Sequence, residues 1–323
     1  MLSISKSKIF IILALFVAFF AAVTQPFGFS PDYTQYELFF REIRVDFLNV
    51  MRESRFEPGF SIAAAGISRL IGSDVLVYGI FVFSSMAYKL CYTRKMSSGS
   101  YLYLAIIFYF FRFFPLHELN QLRAALAISL IFAACFYVWT ARAWVGGAAC
   151  VLAATFHYSS LIISPFLFLP KIGRLKSVIL ALSVFFALYL ASNFAIEFAQ
   201  KFFLVFETYD DNGFGERAIN PLSPVLFPEF FLLVAALVFW GEMTDKMQKI
   251  VTIQLMGVAI FYALIDFQVV AVRSREFFSV LWTLFIAQAA GCSNRLKFYI
   301  YIFVVLSMAL SVYQYLFLDF FHK

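Results

Sequence analysis

IFIILALFVAFFAAV, residues 9–23, is followed eight residues later by DYTQYELFFREIRVDFLNVMRESRFE, residues 32–57. The first stretch has no polar side chain and follows Lys6 and Lys8. The second holds six acids (Asp32, Glu37, Glu42, Asp46, Glu53, Glu57) and four arginines (Arg41, Arg44, Arg52, Arg55), with no lysine. An apolar helix that ends in dense charge reads as a membrane span opening onto an extramembrane loop. No small-x-small cleavage site follows in a convincing place and many apolar segments come later, so residues 9–23 read as an uncleaved first helix rather than a signal peptide.

The rest of the chain repeats the first stretch. Of 323 residues, 63% are hydrophobic, 20% aromatic and only 14% charged, with a mean hydropathy of +0.86. Soluble domains are about half apolar and a quarter charged. Apolar segments fall near 9–24, 58–71, 74–92, 101–115, 118–139, 143–156, 158–170, 177–200, 225–241, 250–270, 277–291 and 298–318. The expected fold is all-α: a polytopic transmembrane bundle of about 10–12 segments, with residues 1–323 forming one integral membrane domain. The net charge of +6 reads as membrane orientation rather than affinity for nucleic acid. Cys91, Cys135, Cys150 and Cys292 lie in or beside apolar segments without a CxxC pair, which argues against disulfides and against a metal site.

Lysines and arginines sort to different connections. Lys6, Lys8, Lys89, Lys95, Lys171, Lys176, Lys246, Lys249 and Lys297 share one set with Arg94, Arg142, Arg174 and Arg295, which reads as cytoplasmic. The other set holds most acids: 32–57, His117–Arg123, Glu207–Arg217 and Asp266–Glu276. With a cytoplasmic N-terminus these face outward. Lys201 and Lys323 depart from the pattern. Pro58–Ile71 is too short to span upright, so it or the next piece is expected to be re-entrant. The chain between Arg142 and Lys171 is expected to turn back near His157. Within 32–57, Tyr36, Phe40, Ile43, Phe47 and Val50 recur every three or four residues, and Glu37 precedes Arg41 by four. That predicts an amphipathic helix in the membrane interface.

The outward connections combine arginines, carboxylates, histidine and tyrosine. Arginine grips diphosphate oxygens bidentately, carboxylate or imidazole can deprotonate a hydroxyl, and tyrosine offers a platform for sugars. Five stretches in order carry a more specific signal. They are Asp32-Tyr33 with Tyr36; Glu57-Pro58-Gly59-Phe60; Asn120-Gln121-Leu122-Arg123-Ala124-Ala125; Phe156-His157-Tyr158-Ser159-Ser160; and Arg273-Ser274-Arg275-Glu276. From about residue 9 to 290 this order resembles the EpsG family of bacterial exopolysaccharide proteins, related to Wzy-type polysaccharide polymerases. The family often has Gln directly after the helix-opening Arg; Ala124 stands there in this chain and Gln121 lies on the other side, so a role carried by that Gln is left without its residue.

The resemblance implies a glycosyltransferase of the bacterial inner membrane that builds O-antigen, capsule or exopolysaccharide. It would move a glycan from an undecaprenyl-type polyprenyl diphosphate to a lipid-linked repeat unit on the outer face. Arg123, Arg273 and Arg275 would bind diphosphate. Asp32, Glu57 or His157 would activate the acceptor, a choice the sequence leaves open. Tyr33, Asn120, Gln121 and Glu276 would contact substrate. No cofactor or metal is expected; partners would be the polyprenyl-diphosphate-linked oligosaccharide, membrane lipids and a chain-length regulator protein. Blander readings stand beside these. His157 can be a hydrogen-bonded structural histidine, Arg123 can snorkel, and Glu57 can be a helix-terminal acid. Asp210-Asp211 resembles a metal pair but reads better as a turn. A flippase or transporter of lipid-linked oligosaccharide needs similar arginines. It would set charge through the depth of the bilayer, whereas most charge here is expected near one surface. No Rossmann or P-loop pattern is present.

Overall fold

The computed structural model describes residues 6–24, 31–97, 99–202, 223–224 and 226–317. Pro26, Gly28, Lys323 and the Glu207–Arg217 connection with Asp210 and Asp211 lie outside the described residues. Among the described residues every regular element is helical. The first eight are α1 (Lys6–Thr24), α2 (Pro31–Val45), α3 (Phe47–Glu53), α4 (Pro58–Ile71), α5 (Asp74–Met96), α6 (Tyr101–Arg112), α7 (Phe114–His117) and α8 (Leu122–Trp139). They are followed by α9 (Ala143–Phe156), α10 (Ser160–Leu167), α11 (Arg174–Phe202), α12 (Phe227–Val238), α13 (Asp245–Ala263), α14 (Gln268–Ser279), α15 (Trp282–Ala287) and α16 (Asn294–Phe317). By length and composition α1, α5, α8, Arg174–Ala191 and Asn294–Gln314 can cross a bilayer, and α4, α6, α9 and α12 are shorter apolar helices. The protein is an all-α polytopic membrane bundle. The apolar segment expected at 277–291 is broken, with α14 ending at Ser279 and α15 starting at Trp282.

The amphipathic helix of the first loop is α2, and its stripe faces protein. Tyr33, Tyr36, Phe40 and Ile43, at helical spacing, are all buried. The Tyr36 ring lies 5.7 Å from Phe60 and 6.1 Å from Tyr78, and Phe40 lies 6.0 Å from Phe81. These contacts fasten α2 to α4 and α5. Leu38 and Val45 remain exposed on the other side.

The same fastening places α4 and the start of α5 against α2. Arg41 and Arg44 both pair with Asp74 at the start of α5, and the Arg44 guanidinium donates to the Gly72 carbonyl at 2.7 Å. Gly72 ends α4 in a left-handed conformation (φ 70°), where glycine carries no Cβ penalty. Both ends of α4 thus lie beside α2. Helix α4 therefore runs alongside α2 as a short apolar helix, and α5 is the piece long and apolar enough to cross a bilayer. A second reversal occurs at His157. Helix α9 ends there, and α10 returns alongside α8, the Trp139 indole N–H donating to the Leu167 carbonyl at 3.2 Å. Fourteen residues of α9 rise about 21 Å, so this break sits within the bundle, where irregular backbone needs protein around it.

Candidate active site

Glu57 joins these two irregular places. Pro58 occupies the first turn of α4, a favourable place for proline. Glu57 sits at the N-cap with extended backbone and makes no side-chain cap, so its carboxylate is free to point elsewhere. A Cβ at Gly59 would fall on the Thr155 side chain and carbonyl. Glycine at this position lets the start of α4 press on the end of α9. The outcome is a carboxylate, 4% exposed, held between two cationic or basic groups from other helices. Oε2 accepts from Arg123 Nη1 at 2.6 Å. Oε1 lies 2.9 Å from His157 Nδ1 and accepts from the Tyr158 backbone N–H at 3.4 Å.

The chemistry of this contact assigns the histidine's tautomer. An ionised carboxylate only accepts hydrogen bonds, so Nδ1 must carry the proton. Nε2 then holds a lone pair, and it is buried without a protein partner. Burial raises the Glu57 carboxyl, but the His157 hydrogen bond and the Arg123 charge prevail and hold it below the usual range. Burial lowers His157, against the pull of Glu57. At neutral pH the pair is therefore a carboxylate and a neutral imidazole, the arrangement of a positioned general base. The His157 ring also stacks on Phe277 of α14 at 5.7 Å.

Arg123 opens α8. Its guanidinium lies 4.6 Å from the Phe56 ring centroid, its backbone N–H meets the Tyr36 hydroxyl at 3.5 Å, and its Nε is buried without a partner. Gln121 Nε2 lies 3.5 Å from Glu276 Oε1, and Glu276 Oε2 accepts from Arg273 Nη1 at 3.2 Å. Burial raises the Asp32 carboxyl, and Arg273, Arg123 and Arg55 oppose this through their charge. Asp32, Glu57, Gln121, Arg123, His157, Arg273 and Glu276 thus form one polar neighbourhood drawn from five parts of the chain. Gln121 Oε1, like Arg123 Nε and His157 Nε2, is buried and unsatisfied. Buried polar atoms ordinarily find partners, so these three mark where a polar ligand would sit.

Of the other expected site residues, Arg275 faces a different part of the bundle. Tyr33 is buried against the Tyr78 ring at 4.8 Å, and it is Tyr36 that reaches Arg123. Asn120 is half-buried in the turn before α8. Arg275 points away from Arg273: its guanidinium pairs with Glu229 of α12 and donates to Gln254 of α13 at 3.3 Å. Ser279 completes that group, donating to Glu229 at 2.8 Å. Two residues apart on a helix, Arg273 and Arg275 cannot share a face.

The lysine partition also needs a correction. Lys89 is not in a connection. It is buried within α5, about 22 Å along the helix from Asp74. There it pairs with Glu118, which the sequence assigns to an outward connection. Glu118 also accepts from Ser85 at 3.2 Å and from Tyr109 at 2.8 Å, and its carbonyl accepts from Tyr78 at 3.0 Å. Charge therefore does penetrate the bundle, contrary to the expectation of charge near one surface. It does so as matched, hydrogen-bonded pairs, the form in which buried charge is tolerated. Lys89, Glu118, Arg112 and Glu229 were not singled out by sequence; lone acids inside apolar stretches such as FFPLHELNQ (113–121) were the available signal.

No match was found among curated proteins or among solved structures. The EpsG family model matches residues 8–321, nearly the whole chain. The five motifs meet in one neighbourhood of a polytopic helical bundle, and the match runs through all of them: the chain belongs to the EpsG family.

Proposed function

We propose that the protein polymerises polysaccharide at the outer face of the bacterial cytoplasmic membrane. In this reading, the glycan on a polyprenyl diphosphate passes to a sugar hydroxyl of a second lipid-linked repeat unit. EpsG membership supports a glycosyltransferase-like polymerase in general terms. The observation that carries the finer reading is the Glu57 carboxylate bridging Arg123 and His157.

The acceptor hydroxyl oxygen attacks the anomeric carbon while the bond from that carbon to the diphosphate oxygen breaks. His157 Nε2 takes the hydroxyl proton, and Glu57 steadies the imidazolium that forms. The departing diphosphate gains negative charge. The remaining N–H groups of Arg123 and the Arg273 guanidinium stabilise it, an effect that is strong in a site shielded from water. Asp32, near Arg273, helps orient the acceptor. The Lys89–Glu118 pair is a closed network, not a step in a charged pathway, which argues for an enzyme over a flippase.

A deletion strain tests the reading. Surface glycan reduced to single repeat units is the expected result. Accumulation of lipid-linked units on the inner leaflet, with no single units outside, would reject the polymerase in favour of a flippase.

A further inference from the structure

Four cations near the site each have a carboxylate: Arg123 with Glu57, Arg273 with Glu276, Lys89 with Glu118, and Arg275 with Glu229. Arg112, at the end of α6, differs. Among the described residues its carboxylate neighbour is Glu229, Oε1 at 3.6 Å, beyond a good hydrogen bond, and Glu229 already serves Arg275 and Ser279. The Arg112 side chain is only 15% exposed. Among the described residues, two guanidiniums around one carboxylate leave this corner of the bundle with a surplus positive charge, which is costly away from water.

A second anomaly lies beside it. His117 is fully buried, and neither ring nitrogen has a partner. Its ring stacks on Phe113 at 5.6 Å with planes 7° apart, and the Arg112 guanidinium lies 5.4 Å from the same Phe113 ring. Burial lowers His117 well below the ordinary histidine range, and Lys89, Arg273, Arg112 and His157 lower it further by charge. The ring is thus neutral, with one N–H donor and one acceptor left unused. A surplus cation and an idle buried donor, set on one aromatic ring, are the components of a binding site for an oxyanion.

We propose that Arg112 and His117 form a second oxyanion subsite beside the Glu57–Arg123–His157 centre, distinct from the diphosphate grip of Arg123 and Arg273. The inference rests on the reading of that centre as a site for lipid-linked glycans. The oxyanion comes either from the diphosphate of the second lipid-linked substrate or from the carboxylate of an acidic sugar in the repeat unit. Arg112 supplies charge and paired N–H donors. His117 supplies one N–H to the anion and an acceptor nitrogen to a neighbouring hydroxyl.

The test uses the full chain in lipid nanodiscs, titrated calorimetrically with inorganic pyrophosphate and, separately, with glucuronate. Arg112→Gln is expected to weaken one of the two by about tenfold or more. Loss for pyrophosphate identifies a phosphate source, and loss for glucuronate an acidic sugar. His117→Phe keeps the stacked ring, removes the donor, and is expected to weaken the same ligand. Should Arg112→Gln fail to fold, Arg112→Lys, which keeps the charge and loses the fork, carries the comparison. Unchanged affinity for both ligands in the folded Arg112 and His117 variants overturns the proposal, as does wild-type protein that binds neither. Arg123→Gln run in parallel separates the two readings. Pyrophosphate affinity that survives Arg123→Gln but falls in Arg112→Gln sinks the Arg123 grip and leaves this subsite standing.

Discussion

The Nδ1 atom of His157 lies 2.9 Å from Oε1 of Glu57, joining two residues 100 positions apart in the chain. Neither could act as well alone. Without the carboxylate nothing fixes which imidazole nitrogen holds the proton; without the imidazole the buried carboxylate would keep only Arg123 and the long contact from the Tyr158 N–H. The contact depends on backbone features visible in the sequence: Pro58 starting α4 directly after Glu57, Gly59 permitting the approach to Thr155, and α9 ending at His157.

The dyad makes a pH prediction with a definite sign. Burial lowers His157, while the hydrogen bond and charge of Glu57 raise it. Glu57→Gln removes the upward pull, so the acid limb of the polymerisation rate should move to lower pH. The plateau should fall as well, because the tautomer is no longer enforced. His157→Ala should lose about 10²- to 10⁴-fold at all pH values. Rates measured from pH 4.5 to 8.5 with purified protein decide it. An acid limb that stays put or moves upward in Glu57→Gln rules out the dyad.

The arginines at 123 and 275 should respond differently to lysine. Arg123 Nη1 holds Glu57 and its plane lies against Phe56; lysine keeps the charge but neither the fork nor the stacking. Arg123→Lys should leave a folded protein with little polymer. Arg275 holds Glu229 and Gln254 in the interior, so Arg275→Lys should act first on stability and protein level. Thermal unfolding and polymer yield at matched protein amounts distinguish the two. Near-normal polymer from Arg123→Lys contradicts the diphosphate grip. A normal melting temperature in Arg275→Lys contradicts its structural role.

What was legible in the sequence follows from what local pattern can encode. Pro58–Ile71 and Ala143–Phe156 fall where the apolar runs do, because turns at Gly72 and His157 interrupt them. The short length of α4 implied that it or the next piece does not cross upright. Glu57, Arg123 and His157 stood out as polar residues at the ends of apolar runs. Partnership was not legible. Lys89 reads as one more basic residue near a helix end until Glu118, Ser85 and Tyr109 are seen around its ammonium. Arg275 reads as a twin of Arg273 only while 273–276 is taken as a loop. Once those residues are helical, a spacing of two turns the side chains to different neighbours. Arg112 and His117 gave no sign, since an unfilled hydrogen bond is a property of the packed chain alone.

The Lys89–Glu118 pair gives a test of stability free of substrate. Both side chains are almost wholly buried, and Glu118 is satisfied by Lys89, Ser85 and Tyr109 together. Lys89→Met strands a carboxylate among apolar helices, a change that typically costs about 3–5 kcal/mol. Lys89→Met combined with Glu118→Gln removes both charges, while Gln can still accept from Ser85 or Tyr109, so the double variant should recover most of the loss. A coupling of several kcal/mol, read from thermal or denaturant unfolding of the full chain in detergent, is the expected outcome. The turn at 118–121 leads directly into Gln121 and Arg123, so Lys89→Met should also depress polymer formation, and the double variant should restore part of it. Additive single effects would mean that the pair does not hold this turn, and that Glu118 draws its stability from the tyrosine and serine hydroxyls alone.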